Sequence, residues 1–317
     1  MEYRNLGRTG LKVSALWLGT ANFGREITVE TSSAVMDRSF EAGITSIDTA
    51  NGYGRGGSEE IVGAWIAERK LRQKIVLATK VYAPMGDGPN DRGLSRRHIL
   101  EQADASLRRL KTDYIDLYYA HFPDVATPLD ETLRAFDDLV HVGKVRYVGC
   151  SNYSGWQVTK AAWISDRLGL SAYACTQPRY NLIWREPESE LLPACADLSM
   201  GVIAYSPTAG GFLVGRYTRD SNIEPGSRFA TVSAYKTHYW NEGSFRFVDA
   251  FQVYCRQRGV GMAEMAIAWV AGHPVVTGPI IGVHTLEHLE QALRSQEIKL
   301  TQQERQEIAA LGASSKQ

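Results

Sequence analysis

Eight times along this chain a short, nearly continuous apolar run gives way to a polar or glycine-rich connection, and a stretch with helical spacing follows. The runs fall at 15–19, 45–48, 75–80, 115–121, 145–151, 174–177, 202–205 and 276–281. They are apolar on consecutive rather than alternate positions, the pattern of strands buried on both faces. Amphipathic patterns at 32–42, 58–69, 95–110, 130–142, 154–168 and 189–198 lie between them, each opened by a capping-type residue. In "SRRHILEQADASLRRL", Ile99, Leu100, Ala103, Leu107 and Leu110 make one stripe. Two further helices, 247–258 and 262–271, precede the last strand, and helical segments near 286–294 and 302–311 close the chain. Strand–helix alternation with no linker predicts a parallel sheet in a single domain over 1–317. Eight repeats fit a (β/α)8 TIM barrel, an α/β fold, better than a doubly wound sheet. No G-x-G-x-x-G follows the first strand, which argues against the doubly wound alternative. The leading "EYRNLGRTGLKVS" reads as a β-hairpin turning near Gly10. The stretch 207–244 is the longest irregular connection, and such a connection is usually functional or mobile. It predicts long loops on the active face.

Composition removes several function classes. Thirty-five Lys and Arg balance 35 Asp and Glu in 317 residues, so no long-range field recruits nucleic acid or an anionic membrane. The tight basic cluster Arg108-Arg109-Lys111 ends a predicted helix, where it is expected to complement the helix dipole. No apolar run reaches the roughly 18 residues of a membrane helix, and "MEYRNLGRTG" lacks a signal-peptide core. Cys150, Cys175, Cys195 and Cys255 are far apart, which reads as reduced thiols of a cytoplasmic protein. No His/Cys pair has ligand spacing, so no metal is expected.

In a barrel of this type the C-terminal strand ends and the loops after them form the active face. Those ends supply Asp48, Lys80 and His121, and Tyr53 follows Asp48 on the loop "SIDTANGYGRGGSEEIVG". Each has an ordinary role open to it: an Asx-turn for Asp48, a surface ring for Tyr53, a strand-end charge for Lys80, a hydrogen-bonded imidazole for His121. Together they describe a proton-donating site. A phenol is a weak acid, with an ordinary pKa of about 10, and an ammonium group beside one favours its ionised form. A carboxylate holds that ammonium charged and oriented, and an imidazole can hydrogen-bond the reacting oxygen. This is general-acid chemistry on a carbonyl: Asp48 tethers Lys80, and Tyr53 is the acid.

A proton donor needs a hydride source, and here the chain resembles the aldo-keto reductases. The resemblance covers nearly the whole chain and rests on "IDTANGYGRGGSEEIVG", "LATK", "DYIDLYYAH", "GKVRYVGCSNY", "TQPRYNL" and "AYSPTAGGFLVGRY". It implies that Asp48, Tyr53, Lys80 and His121 are the family's catalytic tetrad. It also implies NADPH, with NADH possible, lying extended across the barrel mouth. Ser151, Asn152 and Gln177 would then hydrogen-bond the carboxamide, and Tyr205 would stack on the nicotinamide ring. Ser206, Leu213 and Gly215 would line the pyrophosphate, with Arg216 nearby; Gly19, Thr20, Pro207 and Gly282 complete the expected cofactor contacts. The family's C-terminal run for the 2′-phosphate and adenine departs here to "GVHTLEHLEQA". His284 and His288 stand where arginine or glutamine is common, and Ala292 where asparagine is common. Histidine is the weaker, pH-dependent phosphate ligand.

Aromatic residues on the rim loops, Phe23, Tyr82, Phe122 and Trp184, are expected to bind a small-molecule carbonyl substrate in a largely apolar pocket. An aldehyde, a ketone, a sugar carbonyl and a secondary-metabolite intermediate all stay open, as does the oligomeric state. Two alternatives share these residues: a nucleotide-sensing regulatory subunit of the channel-β type, and a reductase of a conjugated enone or deoxysugar intermediate.

Overall fold

A computed structural model describes residues 1–223, 228–231 and 233–312. Its strands are β1 (Tyr3–Asn5), β2 (Lys12–Ser14), β3 (Trp17–Gly19), β4 (Ser46–Asp48), β5 (Val76–Val81), β6 (Ile115–Ala120), β7 (Val145–Ser151), β8 (Cys175–Gln177), β9 (Gly201–Ala204) and β10 (Gly278–Gly282). Strands β3 to β10 close into one barrel in chain order, β10 returning to β3, with every pairing parallel. This is a (β/α)8 TIM barrel, and β1 and β2 form the antiparallel hairpin ahead of it. The helices are α1 (Val29–Glu41), α2 (Gly57–Arg69), α3 (Arg96–Arg109), α4 (Leu129–His141), α5 (Gly155–Leu168), α6 (Leu191–Asp197), α7 (Arg228–Thr231), α8 (Ser233–Tyr239), α9 (Glu242–Gln257), α10 (Met262–Ala271), α11 (Leu286–Arg294) and α12 (Gln302–Ala309).

The period of two along each strand sorts side chains into two buried clusters. Val76 and Ala78 of β5, Leu117 and Tyr119 of β6, Cys175 of β8 and Ile280 of β10 fill the barrel interior. Leu6 and Val13, from the hairpin, belong to the same cluster, so the hairpin caps one end of it. The intervening residues, Leu77, Val81, Tyr118 and Val148, face outward into the layer under the helices. Gly149 is the small residue this packing needs, since a Cβ there would lie 2.7 Å from the Tyr119 ring.

Two helix starts differ from the sequence reading. Helix α1 begins at Val29 because the Thr28 hydroxyl accepts the Thr31 N–H, a cap earlier than Ser32. Helix α9 begins at Glu242, not 247, because the Asn241 side chain caps it through Ser244 N. The stretch 207–244 is less irregular than its composition implies. It holds a 3-10 turn at Ala209–Val214 and the short helices α7 and α8. Phe212 is fully buried at its centre, with the rings of Phe245, Phe229, Tyr239, Tyr217 and Trp240 at 5.0–6.3 Å. The Arg108-Arg109-Lys111 cluster also does more than complement a dipole: Arg109 Nε donates to the fully buried Glu59 at 2.6 Å, locking α3 to α2.

Candidate active site

The same alternation that turns Val76 and Ala78 inward places Lys80 inside at the C-terminal end of β5. Asp48 ends β4 and Gln177 ends β8 on the same inner face. Lys80 is fully buried, and its Nζ donates to Asp48 Oδ1 at 2.5 Å, to Thr49 O at 2.8 Å and to Tyr53 Oη at 3.2 Å. Gln177 Nε2 donates to the other oxygen, Asp48 Oδ2, at 2.8 Å. Burial pushes the Asp48 carboxyl above its ordinary value, opposed by Lys80 and Gln177. Burial also works against the Lys80 charge, but Asp48 and then Tyr53 outweigh it, and the ammonium is held above its ordinary value. An acceptor-only carboxylate taking two donated hydrogen bonds is the form these partners complete.

Tyr53 reaches this ammonium from the start of a left-handed turn that its glycines ease. Gly54, Arg55 and Gly56 have φ of 59°, 53° and 98°, three left-handed residues in succession. Buried hydroxyls anchor the turn: Ser58 Oγ donates to Thr20 within 2.9 Å, and Thr20 Oγ1 donates to Asp48 O at 3.0 Å. Helix α2 then starts at Gly57. The glycines of the loop therefore aim a phenol back over the strand end it has just left; the Lys80 Nζ lies 4.8 Å from the Tyr53 ring centroid.

His121 follows the last residue of β6 and lies half-buried at the mouth, its ring edge-on to Tyr53 at 5.8 Å. Burial, and then the Lys80 ammonium, push its pKa well below the usual imidazole range, so the ring is neutral. Phe122 stacks on it at 4.9 Å, and Tyr82 packs against Phe122 at 5.6 Å. All four expected catalytic residues thus meet, with two of the expected substrate aromatics beside them. Trp184 stands across the face against His238, ring centres 4.4 Å apart. Phe23 is fully buried, in the same core cluster against which Tyr82 and Trp184 pack.

The expected carboxamide-binding trio is tied together internally. Ser151 Oγ donates to Gln177 O at 2.8 Å, and Asn152 Nδ2 donates to His121 O at 2.9 Å and to Ser151 Oγ at 3.1 Å. Asn152 Oδ1 accepts from Tyr205 Oη at 2.8 Å, which fixes the tyrosine ring at the end of β9. Asn152 reaches these partners with φ of 63°, left-handed for a residue other than glycine. Its carbonyl oxygen and the Ser151 hydroxyl each keep one acceptor lone pair. That leftover capacity suits an amide N–H, so the residues present fit a nicotinamide carboxamide.

Ser206, also left-handed at φ 58°, hydrogen-bonds the Tyr235 hydroxyl, and its carbonyl accepts Asn181 Nδ2 at 3.0 Å. Pro207 is buried, Leu213 is fully buried beside Phe212, and Gly215 has φ of 75°. Gly19 packs so closely that a Cβ would lie 2.6 Å from Ile280 Cγ2. Arg216 and Gly282 are exposed. His284 Nε2 lies 2.8 Å from Glu26 Oε2, and the His288 ring is 6.2 Å from that of His284.

Three residues take parts the sequence reading did not give them. Gln177 holds Asp48, a partner 129 positions away. Glu26 engages His284. Arg179, two residues past Gln177, stands over the rings of Tyr235, Trp184 and Tyr205 at 5.1, 5.2 and 5.9 Å. Its place in "TQPRYNL", directly after a strand-end residue of the active face, was the available signal.

With barrel, mouth and four converging residues in place, comparison with known proteins supplies the class. The sequence profile of the aldo/keto reductase family matches residues 15–313. The chain is 42% identical to the uncharacterized oxidoreductase YrpG of Bacillus subtilis (strain 168), over 95% of its own length and 92% of the relative's. It is 38% identical to a probable voltage-gated potassium channel subunit beta of Oryza sativa subsp. japonica, covering 89% and 87% of the two chains. It is 33% identical to the L-glyceraldehyde 3-phosphate reductase of Escherichia coli (strain K12), covering 93% and 87%. The chain belongs to the aldo/keto reductase family, and it is an oxidoreductase.

Proposed function

We propose that this protein reduces an aldehyde or ketone with NADPH, and that Tyr53 is the general acid. The observation carrying this reading is the position of Lys80 Nζ, 2.5 Å from Asp48 and 3.2 Å from Tyr53 Oη at once. The chemistry a bound nicotinamide supplies is a hydride to the carbonyl carbon. Tyr53 Oη gives its proton to the carbonyl oxygen as charge develops there, and the Lys80 ammonium stabilises the phenolate left behind. Asp48 and Gln177 keep that ammonium charged and aimed. Neutral His121 offers a ring N–H to the same oxygen without competing as an acid, and solvent returns the proton to Tyr53 after release.

Asn152 and Ser151 orient the carboxamide, with Gln177 beside them, and the Tyr205 ring, held by Asn152, packs the nicotinamide face. Ser206, Pro207, Leu213 and Gly215 border the pyrophosphate path from Gly19 and Thr20, and Gly282, Arg216, His284 and His288 receive the adenosine end. Two histidines, one of them engaged by Glu26, grip a 2′-phosphate weakly, so NADH is also accepted. Tyr82, Phe122 and Trp184 form the apolar sides of the substrate pocket. Among the described residues no helix is long and apolar enough to cross a membrane, and all four cysteines are free thiols. The free thiols support a cytoplasmic setting.

The experiment is NADPH consumption by the purified protein with aromatic aldehydes, sugars and α-dicarbonyls, in wild type and Tyr53→Phe. Turnover should fall by about 10²- to 10⁴-fold or more in the variant, with NADPH affinity nearly unchanged. Equal rates would remove Tyr53 as the acid. Similarity to the rice channel subunit favours a second reading, a nucleotide-sensing regulatory subunit. NADPH binding without turnover of any carbonyl would shift the assignment there.

A further inference from the structure

Away from the mouth, helices α6, α10 and α12 border a cavity of about 310 Å³ on the flank of the barrel. Arg305 of α12 lines it and is only 4% exposed. Its guanidinium lies over the Trp269 ring at 4.6 Å. Nε donates to Trp269 O at 3.0 Å, Nη1 to Gln302 Oε1 at 3.3 Å and Nη2 to Tyr180 Oη at 3.4 Å. A guanidinium has five N–H groups, so two remain after these three bonds. Among the described residues no carboxylate pairs with Arg305. The carboxylate in the lining, Glu188, is already taken: it accepts Arg185 through both oxygens at 3.0 and 2.6 Å, and the Tyr180 hydroxyl at 2.6 Å.

The titratable groups here do not balance. Arg185 offsets Glu188, while burial, and then Arg305, push the His273 pKa down to about 4, leaving that ring neutral near pH 7. The lining therefore keeps one positive charge, on a guanidinium almost wholly removed from water. A buried cation without a counter-charge is costly, and its complement is an anion. The rest of the lining mixes Gln302 and Gln306 of α12 with apolar residues: Leu192 and Pro193 from α6, Val275 before β10 and Ala309 from α12, with Trp269 buried beneath.

From this juxtaposition we infer that the flank cavity is a second ligand site, for a small organic monoanion that joins a carboxylate to an aromatic or branched apolar body. The carboxylate takes the two remaining N–H groups of Arg305, and the body lies against Pro193, Val275 and Ala309, the accessible apolar part of the lining. Inorganic phosphate supplies the charge without the body, and an organic cation supplies the body with the wrong charge. The site is independent of the catalytic mouth. It adjoins the segment that positions it, since Tyr180 precedes Asn181, which holds Ser206 O.

The test is calorimetric titration and thermal unfolding of the intact protein, saturated with NADPH, using benzoate as probe and acetate, inorganic phosphate and benzylamine as controls. Benzoate should bind one to one and raise Tm by mass action, and the controls should not at equal concentration. Ala309→Trp, which fills the cavity from its rim, should abolish binding with far-UV circular dichroism and carbonyl turnover unchanged. Arg305→Lys should weaken binding about tenfold or more, because the paired N–H donors are lost; if that variant does not fold, Ala309→Trp decides alone. No benzoate binding to wild type would overturn the inference. So would binding that survives Ala309→Trp, which places the probe at the catalytic mouth, or phosphate binding as tightly as benzoate.

Discussion

Asp48→Asn isolates the electrostatic core of the site, because it changes charge while nearly preserving shape. The Lys80 side chain is 0% exposed and that of Asp48 3%, so neither has water to fall back on. The asparagine keeps one oxygen for Lys80 Nζ but presents an NH2 to Gln177 Nε2, so a donor faces a donor where a hydrogen bond stood. Lys80 is left as a buried cation with neutral acceptors alone: the new amide oxygen, Thr49 O and Tyr53 Oη. Breaking one side of a buried pair costs about 3–5 kcal/mol, and the clash at Gln177 places this variant toward the upper end. Equilibrium urea unfolding, followed by fluorescence and circular dichroism, should show that loss with an unchanged m-value. Removing both charges in Asp48→Asn/Lys80→Met should recover stability to within about 2 kcal/mol of wild type.

The pH dependence gives an independent check. In wild type the Lys80 pKa is raised, so its contribution is intact below the ordinary value of 10.5 and is lost only as pH climbs past the folded value. In Asp48→Asn, burial without a partner lowers that pKa. The unfolded chain then binds the extra proton, and stability should rise as pH goes from about 7 toward 10. A variant within about 1 kcal/mol of wild type, with the same pH slope, would refute the account of Lys80 as a buried, carboxylate-dependent ammonium.

The depressed His121 pKa carries its own sign: its contribution to stability is full above about 6.5 and declines as pH falls below that value toward the folded pKa. His121→Asn should flatten that decline in urea titrations between pH 7 and 5; an unchanged slope would mean the imidazole is not desolvated. His284→Arg/His288→Arg should shift binding toward NADPH over NADH by about tenfold, read from the two dissociation constants. An unchanged ratio would place the 2′-phosphate elsewhere.

The barrel was legible because its signal is repeated eight times and because strands buried on both faces cannot be polar. The tetrad was legible for a related reason, since Asp48, Lys80 and His121 each interrupt an apolar run where it ends. Gln177 shows what was not. The resemblance implied a carboxamide contact for it, and its hydrogen bond to Asp48 spans the barrel at a distance no local pattern encodes. Phe23, an aromatic on a rim loop in sequence, is fully buried, and that burial too is set by packing partners no local pattern encodes. The start of α9 was missed because Gly243 breaks the helical pattern that Asn241 caps. Arg109 was read as a helix-end charge, although it makes a buried contact with Glu59 on the neighbouring helix.

The rings gathered around Phe212 all come from the single crossover between β9 and α9 or from the first turns of α9. That crossover carries a miniature hydrophobic core of its own, contiguous in sequence and stapled to the active face through Ser206, Tyr235 and Tyr239. The same crossover carries Ser206, Pro207, Leu213, Gly215 and Arg216, so the packing around Phe212 also sets the path proposed for the cofactor. A graft in this scaffold therefore belongs beyond Arg216: an evolving gene, or an engineer, that replaces the crossover from its start exchanges the cofactor path along with it.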